Sequence, residues 1–171
     1  MPRRLIVDMD GVLADVYSQY LNFEESETGV RQNIEAINGI PEEEAFKNIR
    51  NYVFSKGFFR NAPVIRGSVR ALEILIRKYE IYIVSAATEF PASLQEKHEW
   101  LLENFPFITW QQMVFCGLKS AVYGDIMIDD HFKNLDSFRG KTFLFTQPHN
   151  MGLPEKNHIR VNSWEEILTI L

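Results

Sequence analysis

One cysteine, Cys116, stands alone in a chain of 171 residues, so no disulfide can form within it. A disulfide scaffold is excluded, and a chain this long can bury a sizeable core in one domain without such staples. Long apolar runs are missing too. No stretch approaches the ~20 residues of a membrane span. Leu5-Ile6-Val7 is stopped by Asp8 and is far too short for a secretory segment. These absences lead to the expectation of a reducing, cytoplasmic setting and no membrane partner. There is no basic excess: 18 Lys and Arg stand against 23 Asp and Glu, a net charge of −5. That balance argues against a nucleic-acid polymer as partner. It leaves room for a phosphorylated small molecule, because a bound divalent cation can reverse the local sign. Repeats, low-complexity tracts and Gly/Pro/Ser linkers are absent. What remains is 46% hydrophobic and 13% aromatic, a globular rather than a disordered composition.

Bare apolar runs predict strands at Leu5 to Val7, Ile81 to Val84, Met113 to Cys116, Ile126 to Ile128 and Thr142 to Phe145. Runs without polar alternation suit a parallel sheet covered on both faces. Helical spacing links Leu13, Val16, Tyr17, Tyr20 and Leu21, and again Val69, Leu72, Leu75, Ile76 and Tyr79. Pro41 followed by Glu42, Glu43 and Glu44 reads as a first helical turn, with Phe46, Ile49 and Val53 as its apolar stripe. Ser93 with Glu96, and Ser163 with Glu166, have the spacing of capping boxes. From Ile65 onward the alternation predicts a doubly wound α/β sheet. The stretch from about Asp15 to Pro63 has no convincing strand and is too long for a simple crossover. The expected organisation is therefore a core of residues 1–14 and 64–171 with a small helical cap inserted at 15–63.

In open parallel sheets, ligands bind beyond the carboxyl ends of the strands. Four predicted strand ends carry Asp8 and Asp10, Ser85, Lys119, and Asp129 with Asp130. Carboxylate oxygens suit Mg²⁺, a hydroxyl donates to a phosphoryl oxygen, and an ammonium neutralises remaining charge. Each member has a plainer reading. Asp10-Gly11 can be an ordinary turn, a Ser or Lys after a buried strand is usually structural, and an Asp pair can cap the next helix. Their coincidence at successive strand ends favours chemistry.

The ordered set Asp8-Met9-Asp10-Gly11-Val12, Ser85, Lys119 and Asp129-Asp130 resembles the four motifs of haloacid-dehalogenase-type phosphohydrolases. Asp8 to Asp15, Gly57-Phe58-Phe59, Glu96 to Leu101 and Met127 to Asp130 narrow the resemblance to the 5′(3′)-deoxyribonucleotidases of that superfamily. It runs from about Ile6 to Trp164. The resemblance implies a Rossmann-like sheet with a helical cap after the first strand, and hydrolysis of a nucleoside monophosphate. Asp8 would be the nucleophile, forming an aspartyl-phosphate, and Asp10 the general acid and then base. Mg²⁺ would be held by the Asp8 carboxylate, the Asp10 backbone carbonyl and Asp129. Asp130 would orient loops or the metal's water shell. Ser85 and Lys119 would contact phosphate, with Lys97 as a further contact. Phe58 and Phe59 are the expected stacking partners for a base. The expected assembly is a monomer or homodimer.

Two departures stand out. Ala86 and Ala87 follow Ser85 where mammalian members carry a second hydroxyl residue and then Pro, and His131 replaces an Arg. One substrate contact is lost, and a neutral His holds an anion less firmly than Arg. The remaining readings are a same-mechanism phosphatase for another small phosphorylated metabolite, and a binding module of the same fold.

Other sites are disfavoured. A calcium loop needs Gly at its sixth position and an acid at its twelfth, whereas Gly11 is fourth and Gln19 twelfth. The four histidines form no H-E-x-x-H or close pair, which speaks against zinc. His149 and Asn150 lie in a Pro148-containing loop that could overhang the site, with a plain surface loop the favoured reading, and Cys116 reads as a core thiol inside a strand.

Overall fold

The structure is a computed structural model that describes residues 2–171. Leu5, Ile6 and Val7 are wholly buried in the first strand, β1 (Arg3–Val7). Because strand side chains alternate faces, Leu5 and Val7 enter one apolar cluster and Ile6 another on the opposite side of the sheet. Both faces are covered, which is why this strand reads as an unbroken apolar run. The other strands are β2 (Tyr79–Ser85), β3 (Met113–Phe115), β4 (Ile126–Asp129), β5 (Lys141–Phe145) and β6 (Ile159–Val161). They form one sheet in the order β3-β2-β1-β4-β5-β6, with every pairing parallel.

Strand β6 is missed by the sequence pattern. It has three residues, carries Arg160 at its centre, and offers no apolar run. Cys116 falls just beyond β3 rather than inside it and is half-buried.

Between β1 and β2 lie α1 (Val16–Thr28), α2 (Glu42–Ala45), α3 (Ile49–Phe54) and α4 (Ser68–Leu75). Helix α1 begins later than the Leu13 pattern suggests. The Asp15 carboxylate accepts from Ser18 N at 2.9 Å and so caps it there. The single helix expected after Pro41 is two short ones, broken at Phe46, whose extended backbone sends its ring into a second apolar cluster. That cluster is built from Tyr17, Tyr20, Phe46, Tyr52, Phe58 and neighbours, apart from the sheet core. At its base, Asp15 N donates to Pro63 O at 2.7 Å and Ile65 N to Leu13 O at 2.8 Å.

Helices α5 (Ser93–Asn104), α6 (Phe132–Leu135) and α7 (Trp164–Ile170) complete the fold. The expected capping box at Ser93 does not form. The Ser93 hydroxyl donates to Ala87 O, while Glu96 accepts from Gly57 N at 2.6 Å and Arg60 N at 3.1 Å. Glu96 thereby satisfies backbone donors in the turn after α3 instead of its own helix start. Ser163 does cap α7, accepting from Glu166 N at 3.2 Å, but the Glu166 carboxylate reaches Asn162 N rather than the cap residue. Among the described residues no helix is long and apolar enough to cross a membrane.

Candidate active site

The strand order reverses at β1, which lies between β2 and β4, so the carboxyl ends of these three strands open onto one crevice. Immediately after β1 the chain makes a tight turn. Met9 O accepts from Leu13 N at 2.8 Å and Ala14 N at 2.9 Å, and Gly11 sits at φ 73°. A Cβ at Gly11 would lie 2.1 Å from Asp130 Oδ2. Glycine is required there twice over, by its left-handed backbone and by the close approach of the carboxylate. Gly11→Ala is expected to cost at least ~1–2 kcal/mol from the backbone alone. It should also displace Asp130, which thermal unfolding together with Mg²⁺ titration would detect.

Asp8, Lys119, Asp129 and Asp130 are buried together. Lys119 Nζ lies 2.5 Å from Asp8 Oδ1 and 2.7 Å from Asp129 Oδ2. Met9 N donates to the same Asp8 Oδ1 at 2.6 Å. Asp129 also accepts from His131 N at 2.9 Å and Asn134 Nδ2 at 3.0 Å. Asp10 points differently: its carboxylate pairs with Lys97 Nζ and lies 3.5 Å from Ser85 Oγ. Lys97 donates to Ser85 Oγ at 3.0 Å and sits 4.2 Å above the Phe59 ring. The strand-end residues from four segments thus meet, joined by Lys97 from α5.

Carboxyl groups outnumber ammonium groups here. Burial first, then the Asp129 charge, pushes the Asp8 carboxyl well above the usual carboxylate range, against the pull of Lys119. Asp130 is raised for the same reasons, burial leading and Asp129 and Glu42 adding to it. Burial works to lower the Lys119 ammonium, but Asp129 and Asp8 more than reverse it and hold it above its ordinary value. Two buried carboxylate oxygens, Asp10 Oδ1 and Asp130 Oδ1, have no hydrogen-bond partner. Carboxylate oxygens of Asp8, Asp129 and Asp130 lie within 4.8 Å of one another. Unpartnered hard oxygen donors in a negative, buried cluster fit a divalent cation such as Mg²⁺.

Asp8, Asp10, Lys97, Lys119 and Asp130 form the floor of a cavity of about 440 Å³, with Asp129 and Ser85 buried behind them. Tyr20, Phe59 and Phe90 line its wall, with Arg50 and Glu42 from the inserted helices. Phe58 is a correction to the sequence reading. It is fully buried, packs against Tyr20, Phe23 and Phe59 with ring centroids 4.9–5.4 Å apart, and is absent from the cavity wall. Its neighbour Phe59 faces the cavity.

His149 is a second correction. The segment after β5 is no plain surface loop: Asn150 is wholly buried, and His149 lines the cavity beside His131. The two imidazoles stack with centroids 4.3 Å apart and planes 14° from parallel. Burial, with His131 beside it, lowers the His149 pKa to about 4. The overhanging alternative for this loop is the one the structure shows, and it follows the strand-end rule, since β5 ends only four residues before His149 at Phe145. Nothing local in the sequence marks Tyr20, Arg50 or Phe90, whose positions depend on how the inserted helices pack on the sheet.

The protein family described as 5′ nucleotidase, deoxy (pyrimidine), cytosolic type C matches residues 3–171. A 5′(3′)-deoxyribonucleotidase from Bacillus subtilis is 41% identical over 173 aligned positions, covering 98% of this chain and 97% of the relative. Among solved structures, a haloacid dehalogenase-like hydrolase from Streptococcus pneumoniae superposes with a TM-score of 0.65 at 17% identity, covering 99% and 98% of the two chains. A magnesium-bound hydrolase of the same fold from Bacillus subtilis gives 0.60 at 14% identity, covering 99% of this chain and 98% of that one. These two similarities concern the fold.

Proposed function

The chain belongs to the cytosolic type C family of deoxy (pyrimidine) 5′ nucleotidases, and from that premise we propose that it is a Mg²⁺-dependent phosphomonoesterase for deoxyribonucleoside monophosphates. The observation that carries the reading is Asp8 at a cavity floor, joined through Lys119 to Asp129 and clustered with the Asp129 and Asp130 carboxylates, with Asp10 set apart on Lys97 and Ser85.

Both contacts that Asp8 makes with Lys119 and Met9 use Oδ1, which leaves Oδ2 to attack. Oδ2 forms a bond to phosphorus as the bond from phosphorus to the nucleoside oxygen breaks, giving an aspartyl-phosphate. Asp10 gives a proton to the departing oxygen. It then takes a proton from the water that attacks the phosphoryl group, releasing inorganic phosphate and regenerating Asp8. Lys97 and Ser85 hold the Asp10 carboxylate on the leaving-group side and contact a phosphoryl oxygen. Lys119 offsets charge at Asp8. Asp8, Asp129 and the Asp10 backbone carbonyl would hold the Mg²⁺, which supplies charge neutralisation at the phosphoryl oxygens.

Residues 15–63 act as the cap over this floor. The base stacks against the Tyr20, Phe59 and Phe90 side of the cavity, whose volume lies within the range of small-ligand pockets.

The test is phosphate release from deoxyribonucleotides, ribonucleotides, sugar phosphates and p-nitrophenyl phosphate, with Mg²⁺ and with chelator. Turnover concentrated on deoxyribonucleotides and abolished by chelator is expected. Best turnover on a sugar phosphate would keep the chemistry and discard base stacking. No release from any compound, with Mg²⁺ bound, would leave a binding module. Mg²⁺ at a hundredfold excess over its Kd should add ~2.7 kcal/mol to stability, raising Tm by about 5–11 °C.

A further inference from the structure

Glu42 adds a carboxylate to a cavity whose floor already carries an excess of them, and the mechanism gives it no task. It opens α2 in the inserted segment and lines the cavity wall. Its side chain is only 19% exposed. Burial raises its carboxyl above the ordinary value, with His131 opposing. An anion there repels phosphate rather than holding it. The part of a nucleotide that suits Glu42 is therefore a neutral hydrogen-bond donor.

The protein leaves Glu42 short of such donors. His149 Nε2 lies 3.0 Å from the Asp130 backbone oxygen, and a carbonyl only accepts, so Nε2 carries the ring proton. His149 Nδ1, 4.0 Å from Glu42 Oε1, then has a lone pair and nothing to donate. His131 Nε2 stands 3.9 Å from Glu42 Oε2, beyond hydrogen-bond length. The Tyr17 hydroxyl has one proton and two acceptors for it, His149 Nδ1 at 3.0 Å and Glu42. At most one side-chain donor thus serves Glu42, although an ionised carboxylate accepts about four hydrogen bonds.

Its place is fixed from both sides of the cavity. His131 and His149 stack with centroids 4.3 Å apart and flank the carboxylate. Asn150 Nδ2 anchors the His149 loop, donating to Asp130 O at 2.8 Å and Phe145 O at 2.9 Å. Gly39 N donates to Pro148 O at 2.8 Å, which ties the segment leading into α2 to that loop. Electrostatics locate Glu42 between floor and wall. Burial leads in each case, but the Asp10 charge adds to the rise at Glu42, and Glu42 adds to the rise at Asp130 and Tyr20. A nucleotide with its phosphate on the floor and its base against Tyr20 carries its sugar past Glu42.

We propose that Glu42 reads the free sugar hydroxyl of the nucleotide, accepting a hydrogen bond from it. That hydroxyl is the 3′ group of a 5′-monophosphate or the 5′ group of a 3′-monophosphate. The role rests on the nucleotidase reading and extends it, placing a specificity-determining residue in the inserted segment. A substrate without the hydroxyl leaves the Glu42 carboxylate unpaired and partly buried. Losing a charge-assisted bond of this kind weakens affinity about ten- to hundredfold.

The experiment is calorimetric binding, in Mg²⁺, to the Asp8→Asn protein, which separates affinity from turnover. Thymidine 5′-monophosphate is compared with its 3′-deoxy analogue, and thymidine 3′-monophosphate with its 5′-deoxy analogue. In at least one pair the hydroxyl-bearing compound should bind about ten- to hundredfold tighter, and that pair identifies the hydroxyl. Adding Glu42→Ala should bring the ratio close to one, a change of selectivity that a merely structural loss would not produce. Adding Glu42→Gln instead, which keeps an acceptor oxygen, should retain part of it. Ratios near one for both pairs in Asp8→Asn, or a ratio undiminished by Glu42→Ala, would overturn the proposal. The expected ratio without phosphate release by the wild type would overturn hydrolysis and leave this contact standing, whereas no nucleotide binding would overturn both.

Discussion

Asp8→Asn is expected to lower kcat by at least ~10⁴-fold, the scale on which removing a nucleophile from a concerted catalytic unit acts. The fold should hardly notice. An asparagine retains an oxygen for the Met9 N–H, and it removes one charge from a cluster in which burial and Asp129 already oppose ionisation of Asp8. Lys119 keeps Asp129 as partner at 2.7 Å. Tm should therefore match or exceed wild type. Steady-state phosphate release and a thermal melt on the same preparation read both halves. Turnover near wild type would remove Asp8 from the mechanism, and a collapse of Tm would show that its charge is structural.

Lys119→Met should do the reverse, costing stability as well as rate. The methionine approximates the length of the lysine stem and has no charge. It leaves Asp8 and Asp129, both almost wholly buried, without the ammonium that lies against them. Removing one partner from a buried ion pair costs ~3–5 kcal/mol, which corresponds to a Tm about 6–20 °C lower in chelator. Mg²⁺ should recover part of the loss, because it restores positive charge to the same carboxylates. A kcat deficit of ~10³-fold should persist in saturating Mg²⁺, the scale of losing one preorganised electrostatic partner. Denaturant unfolding with and without Mg²⁺ measures the first effect and phosphate release the second. Equal stability of variant and wild type in chelator would contradict the role given to Lys119.

The strand ends were legible because parallel strands write themselves as bare apolar runs and the residues that follow converge. Asp8, Asp10, Ser85, Lys119 and Asp129 could be placed near one another by that rule alone, and their ordering points to the family. The same rule brings the loop of His149, four residues past the end of β5, within reach of the site, but nothing local separates a loop that overhangs the site from one on the surface. Elements set by tertiary contacts were not legible. Phe58 and Phe59 are adjacent and chemically identical, yet one fills the interior of the inserted helices and the other faces the cavity. Which does which depends on the turn that Glu96 holds from across the molecule. The Ser93–Glu96 spacing suggested a cap because local pairing is all a sequence displays, whereas Glu96 serves the backbone of another segment. Strand β6 was invisible because pairing with β5, rather than its own composition, makes it a strand. The stacked His131–His149 pair on the cavity wall shows the same limit, since its spacing matches no local motif.

The aspartyl-phosphate step is tested by rapid acid quench of the Mg²⁺-loaded protein mixed with a ³²P-labelled deoxyribonucleoside monophosphate. Label is expected on the protein within the first turnover, released by hydroxylamine as an acyl phosphate would be, and mapped to the peptide bearing Asp8. Wild-type turnover with no protein-bound label at any quench time, or label on a peptide lacking Asp8, would contradict it.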